Sequence, residues 1–331
     1  MVWSKEASTI PNLPRAFRDA AGVVERTGRG KLRFSGDQSC WFLDQLLTNR
    51  VEDLGQEQVR DALLLTPKGK IVATLRLSRP NDDVFADVDG ESASDLLDFF
   101  NSRIFTTRVA IEDVTQSYAI LSVLGPDAAG IVNTALQGTH SVENENQCCA
   151  FTAGTAGAAG FLVGVERPIG GIDIWVRSAE APQLVASLTS AGATLLTESD
   201  LGALQVVEGS QVAGLDFDQT FLPQEAGLER AVHFNKGCYL GQESVAMAQR
   251  GSVKRKLRHL RFHSEPIAPQ IRVARDEDRY FGISAVKTSV VVGSETLIGE
   301  TLATVMEMPG SVEGPTPPSA RELRERLQAE R

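Results

Sequence analysis

The sequence predicts an α+β chain: two mixed units in tandem, then a smaller strand-rich unit. Three observations carry this reading. Strand-like alternation and helix-like periodicity interleave over residues 31–105, the same order returns over residues 118–196, and period-two patterning prevails again from Arg255 to about Met308. In the first unit, residues 31–36 alternate like a strand, Asp37 offers a helix cap, and Gln38 to Leu47 follows as a helix. Strand-like runs return at 61–66, 71–78 and 83–88. Ser92 to Phe105 reads as an amphipathic helix with Leu96, Leu97, Phe99 and Phe100 on its apolar stripe. The second unit places strands near 118–124, 160–166 and 172–177 and helices near 126–136 and 180–191. Between them, the Gly/Ala/Thr-rich span 150–160 reads as a turn, because it has neither Gly-x-Gly-x-x-Gly nor a phosphate-loop lysine. The last unit reads as a small β-barrel or sandwich. Boundaries are therefore expected at 1–116, 117–252 and 253–308. Residues 309–331 remain as a Pro/Gly-rich linker and a charged tail, opened by the capping-box pattern Ser319-Ala320-Arg321-Glu322.

Composition narrows the function classes. The 331 residues suffice for more than one core, and 42% apolar with 23% charged residues is a globular balance. The start, Met1-Val2-Trp3-Ser4-Lys5-Glu6, has no apolar core of signal-peptide type, and no apolar run approaches the ~18 residues that cross a bilayer. A cytoplasmic location without membrane contact is expected. Cysteines 40, 148, 149 and 238 lack paired spacing, so neither a disulfide framework nor a resident metal or cluster site is expected. A net charge of −10 argues against nucleic-acid binding. Against that background Arg250, Lys254, Arg255, Lys256, Arg258 and Arg261 form a local basic run. It reads either as a guarded strand edge or as a docking site for an anionic tail.

The most informative stretch is Lys236-Gly237-Cys238-Tyr239-Leu240-Gly241-Gln242-Glu243, with a helix expected over Gln242 to Ala248. Two glycines allow a tight turn and close approach to a ligand. A cysteine just ahead of a helix N-terminus, with Lys236 two residues away, is expected to favour thiolate and act as a nucleophile or metal ligand, weighed against a buried and inert cysteine. Gln242 and Glu243 are expected to fix the loop or contact ligand. His233 is the nearest acid or base candidate, weighed against a plain surface histidine. Trp41, beside Phe42 on a helix, is expected in the core. Trp175, in the alternating Ile172-Asp173-Ile174-Trp175-Val176-Arg177, is either a site wall or ordinary packing.

Around that loop stand Phe221-Leu222-Pro223-Gln224, Gly227-Leu228-Glu229, Val232, Phe234 and Val245-Ala246. Further back are Gly36-Asp37, Leu46-Leu47-Thr48, Thr66-Pro67-Lys68-Gly69-Lys70 and Leu124-Gly125-Pro126. Together these resemble the YgfZ-type folate-binding proteins, relatives of the glycine-cleavage T-protein (aminomethyltransferase) that act in iron–sulfur cluster maintenance. The resemblance implies a three-domain T-protein-like ring, two mixed α/β units around a central cleft with a small C-terminal β-barrel. It implies tetrahydrofolate as cofactor and iron–sulfur client proteins or assembly factors as partners. It makes Cys238 and Lys236 the chemical centre, with Lys236 lowering the thiol pKa. Gly237, Tyr239, Gly241, Gln242, Glu243, Lys68, Lys70, Glu208, Trp175 and Arg250 become candidates for folate contact, Lys68 and Lys70 for its carboxylates. T-protein relatives carry an aspartate for methylene transfer at the position of Ala73 here, which argues against aminomethyltransferase activity. They often carry a carboxylate where Val207 stands, one residue before Glu208, and an arginine where Met247 stands. A one-carbon transferase using another acid, and a thiol redox sensor or binding module, are the alternatives.

Overall fold

The computed structural model describes residues 10–89, 93–138, 142, 144–152, 159–166, 169–267 and 271–308. The linker and charged tail expected beyond residue 308, and most of the turn expected between 150 and 160, lie outside the described residues. The chain opens with α1 (Ala16–Asp19) and β1 (Gly22–Glu25). It continues through β2 (Arg29–Ser35), α2 (Ser39–Leu46), β3 (Gln58–Leu65), β4 (Ile71–Arg79), β5 (Val84–Asp89), α3 (Ala93–Asn101) and β6 (Ala110–Asp113). Next come β7 (Tyr118–Leu124), α4 (Ala128–Leu136), β8 (Cys148–Thr152), β9 (Ala159–Val165), β10 (Gly171–Arg177), α5 (Ala181–Ser190), β11 (Thr194–Leu196) and α6 (Glu198–Val207). The last elements are α7 (Pro223–Ala226), α8 (Gln242–Arg250), β12 (Arg255–Phe262), β13 (Val273–Asp276), β14 (Arg279–Lys287), β15 (Glu295–Ile298) and β16 (Thr301–Met306).

Among the described residues the strands form three sheets. The first has the order β3-β4-β5-β2-β6, the central one β11-β1-β7-β10-β9-β8, and the C-terminal one β13-β14-β12-β16-β15. β1 does not join the strands that follow it. It lies antiparallel to β7 and parallel to β11, so the chain starts in the central sheet and then crosses to the first.

Period-two alternation gives each sheet two unlike faces. In the first sheet Leu32, Phe34, Ala73, Leu75, Leu77, Ala86 and Val88 pack beneath α2 and α3. The intervening residues, Thr74, Arg76, Phe85 and Asp87 among them, therefore point the other way. That second face is shared by two neighbours. Val59 and Phe85 pack on Ile120, Phe161 and Trp175 of the central sheet. Leu63 and Leu65 pack on Tyr239, Val245 and the C-terminal-sheet residues Leu257 and Ile283. The triangle closes where Val24 and Leu124 meet Ala274 and Phe281 across α6.

The expected C-terminal barrel is corrected to an open sheet, with β13 and β15 as unpaired ends of the strand order. The outer edge of β13 is engaged by the N-terminal segment instead: Leu13 donates to the Arg275 carbonyl at 2.8 Å and Arg275 donates to the Pro11 carbonyl at 2.8 Å. An edge so occupied cannot close on β15. The helix expected to reach Phe105 ends at Asn101, leaving Phe105 exposed.

Candidate functional site

The Cys238 loop is built on a buried lysine. Lys236 Nζ donates to the carbonyls of Asp44, Leu47 (2.9 Å) and Asn49 (2.9 Å), and it lies 3.3 Å from the Asp44 carboxylate. Asp44 is held in turn by the backbone N–H groups of Val51 (2.6 Å) and Glu52 (3.2 Å). Nearby, Thr48 Oγ1 donates to the Ala231 carbonyl at 2.6 Å, and His233 N donates to the Thr48 carbonyl at 3.0 Å. Burial draws the Lys236 ammonium below the ordinary lysine pKa, against the pull of Asp44. The role expected for Lys236 is thereby changed: its donors serve the 44–49 carbonyls, and it acts as an anchor rather than a charge offered to the thiol.

From this anchor the chain emerges at Gly237 and Cys238, both exposed, and dives again at Tyr239. Tyr239 packs with Leu63 and Leu65, and burial pushes its phenol up to about 12. Gln242 closes the turn, its N–H donating to the Tyr239 carbonyl at 3.3 Å and its Oε1 accepting from Tyr239 N at 3.4 Å. Gln224, from the matched Phe221–Gln224 run, donates to the Val245 carbonyl at 2.9 Å and steadies α8.

The two glycines have separate tasks. A Cβ on Gly237 would meet nothing within 4 Å, leaving that backbone open to a ligand. Gly241, at φ +81°, faces the Thr66–Lys70 turn instead, where a Cβ would lie 2.5 Å from the Thr66 carbonyl oxygen and 2.8 Å from Gly69 Cα. Gly69, at φ +73°, meets Ser244 reciprocally. Two sequence motifs about 170 residues apart in chain order are thus pressed backbone to backbone.

The surrounding cations are unequal. Lys68 is exposed on the turn, whereas Lys70 pairs with Glu225 at 3.4 Å. Glu225 is also 3.5 Å from Arg255, whose guanidinium lies 3.8 Å above the Phe221 ring and donates to Thr220. Of the basic run, Arg255 is therefore committed within the fold, while Arg250 stands exposed on α8 with Glu243 and Met247.

Other candidates lie elsewhere. Glu208 caps the end of α6, its carboxyl pushed up by burial with Arg18 and Asp276 as its charged neighbours. Trp175, 2% exposed, is stacked on Phe161 with centroids 5.0 Å apart and is edge-on to Phe85 at 5.9 Å. It packs the seam between two sheets and offers no open ring face. Trp41, expected in the core, is exposed. His233 is partly buried, its pKa lowered chiefly by burial, and its Nδ1 accepts from Asn235 N at 3.3 Å. Ala73 faces the α2/α3 core, so the neighbouring side chain on the opposite face is that of Thr74; neither is an acid.

One constellation was missed. Ser122 Oγ donates to Asp173 Oδ1 at 2.6 Å and accepts from Arg26 at 3.3 Å, on the face of the central sheet turned toward Arg76 and Asp87. Burial pushes the Asp173 carboxyl above the ordinary carboxylate range. Its signal was a lone acid between Ile172 and Ile174 in a buried strand.

Comparison with known proteins gives this geometry a family. The family described as GCVT N-terminal domain matches residues 12–236. A chloroplastic protein of Arabidopsis thaliana that carries a transferase name is 22% identical over 333 residues, covering 92% of this chain and 74% of its own. An aminomethyltransferase of Rubrobacter xylanophilus is 25% identical over 76% of this chain and 70% of its own. The crystal structure of the glycine cleavage system aminomethyltransferase T from Bartonella henselae matches with a TM-score of 0.76 over 93% of each chain, at 18% identity, so the mixed α/β fold is shared. No helix among the described residues is long and apolar enough to cross a membrane.

Proposed function

The chain belongs to the GCVT N-terminal domain family, and from that premise we propose that it binds a tetrahydrofolate and assists iron–sulfur cluster assembly or repair in client proteins, in the manner of the YgfZ-type members. The observation that carries the reading is the docking of the Cys238 loop on the Thr66–Lys70 turn through Gly241 and Gly69. It presents an exposed thiol, an open backbone at Gly237 and the exposed cation of Lys68 together. Cys238 is the reacting group. Lys236, Tyr239, Gly241 and Gln242 hold the loop, and Lys68 with Arg250 meets the folate's carboxylates. Calorimetric titration with tetrahydrofolate, beside Cys238→Ser, tests this. Saturable binding by both proteins, with loss of function only in the serine variant, is the expected result; absence of binding by either removes the folate claim.

The names of the relatives favour a second reading, a folate-dependent aminomethyl or one-carbon transferase. Against it stand Ala73 and Thr74, which provide no carboxylate. Turnover of an aminomethyl donor by the purified protein separates the two.

A further inference from the structure

Among the described residues, the sheet edges are protected with one exception. β3 and β8 close on each other, Val59 N donating to the Asn146 carbonyl at 2.8 Å and Cys148 N to the Glu57 carbonyl at 2.9 Å. β13 is taken by the Pro11–Leu13 segment. β6 carries the exposed carboxylates of Glu112 and Asp113, and β11 is only three residues long. β15 has its inner side on β16 and no backbone partner on its outer side among the described residues. Its sequence, Glu295-Thr296-Leu297-Ile298, has neither the proline nor the lysine that ordinarily guards such an edge. Exposed apolar side chains gather at the same place. Of eleven large apolar residues exposed among the described residues, five are here. Val291, Val292, Leu297 and Leu302 lie on the β15–β16 hairpin and its approach, and Ile267 N donates to Thr301 Oγ1 at 3.3 Å. Leu297 is 65% exposed and stands directly across from Leu302. Such a cluster beside open backbone groups marks a surface that another strand covers.

We propose that β15 is the self-association site of this protein, two copies joining their C-terminal sheets through antiparallel β15–β15 pairing about a two-fold axis at Leu297. Two features select a second copy as the occupant. In this register Leu297 meets Leu297 of the copy, so that Leu302, Leu297 and their symmetry mates form one row of four leucines across the joined sheet. The same register sets Glu295 opposite Gly299 and Glu300 opposite Ser294, so the two carboxylates between Thr288 and Met306 face no like charge. Glu295 also lies 3.6 Å from His263 Nε2 of its own chain. A Cβ on Gly299 would meet nothing within 4 Å, which leaves room for the glutamate opposite. A chain with a net charge of −10 can thus meet its copy where the charges interleave.

Sedimentation velocity over a concentration series tests this on the full chain. The natural protein is expected to pass from monomer to dimer as concentration rises. Leu297→Lys sets two ammonium groups face to face in place of two covered leucines and should raise the dimer dissociation constant about 100-fold. Phe105→Lys, at an apolar residue 86% exposed on the α3–β6 connection, should leave it unchanged. Register is read separately by mild oxidation in a Cys238→Ser background. Leu297→Cys should give a disulfide-linked dimer, whereas Glu295→Cys, whose two copies lie about 13 Å apart along the paired strands, should not. A monomer throughout the series overturns the proposal, whether the edge is then left bare, covered by the chain's own residues 309–331 or taken by a different protein. So does a dimer that Leu297→Lys leaves intact or Phe105→Lys weakens equally, or a disulfide formed as readily at 295 as at 297.

Discussion

Cys148 and Cys238 carry the same thiol in opposite surroundings. Cys148 sits within β8, 1% exposed, with its sulfur 3.5 Å from the Gln58 carbonyl, and burial pushes the thiol up to about 12. Cys238 stands exposed in a loop whose neighbours on either side, Lys236 and Tyr239, are both buried. In the first case a regular strand hides the side chain. In the second, two buried anchors hold an irregular segment open. Availability of a cysteine in this fold is thus decided by what its neighbours are tied to.

That contrast can be broken most directly by labelling. A thiol-specific reagent should modify Cys238 in the native protein and reach Cys148 only through unfolding, a difference of about 1,000-fold or more given the folded excess of even a marginal domain. Cys238→Ser should abolish the rapid phase, and a rapid phase that survives would place the reactive thiol elsewhere. Next in size is Lys236→Met, which strands the buried Asp44 carboxylate and three carbonyls. It should cost about 3–5 kcal/mol in urea denaturation and expose the loop to proteolysis. Gly241→Ala, forced into positive φ against the Thr66 carbonyl, should cost about 1–3 kcal/mol. Gly237→Ala should stay within about 0.5 kcal/mol; equal effects would deny the two glycines their separate tasks.

The smallest effect concerns the seam between the sheets. Asp173 has its folded pKa raised above 3.8 chiefly by burial. Between 3.8 and the raised value the native state holds the proton more tightly than the unfolded chain, so this group's contribution to stability falls as pH rises through that window. Asp173→Asn should therefore gain stability relative to the natural protein at neutral pH, and the gain should shrink as pH approaches 3.8. Thermal melts of the pair from pH 7 downward check the sign. A variant less stable at neutral pH would mean that hydrogen bonding at Asp173 outweighs its desolvation.

Much of the fold was legible. Strands at 71–79, 118–124 and 171–177 and helices at 128–136 and 181–190 fall within a few residues of expectation, because in each a full period of apolar side chains meets one core. The strands β1, β6, β8 and β11 gave no comparable signal. They are three to five residues long, too short for alternation to register, and their pairing is set by neighbours distant in sequence. The site divided similarly. The Cys238 loop was visible as a pattern of residue types, whereas the roles within it were not. Proximity in sequence puts the Lys236 charge beside the thiol, yet its donors serve the 44–49 carbonyls; a glycine pair in one loop suggests ligand approach, yet Gly241 faces Gly69.

Local chemistry along the chain therefore determined the elements, the exposed thiol's flanking motif and the lack of an acid at Ala73, since these depend on residue type and short-range period. Tertiary structure alone decided that Lys236 is an anchor, that the 66–70 turn meets α8, that the C-terminal strands stay open, and that Asp173 and Arg76 face each other across a seam. Those outcomes depend on which buried donors and acceptors find partners across long separations, and a linear pattern carries no record of that pairing.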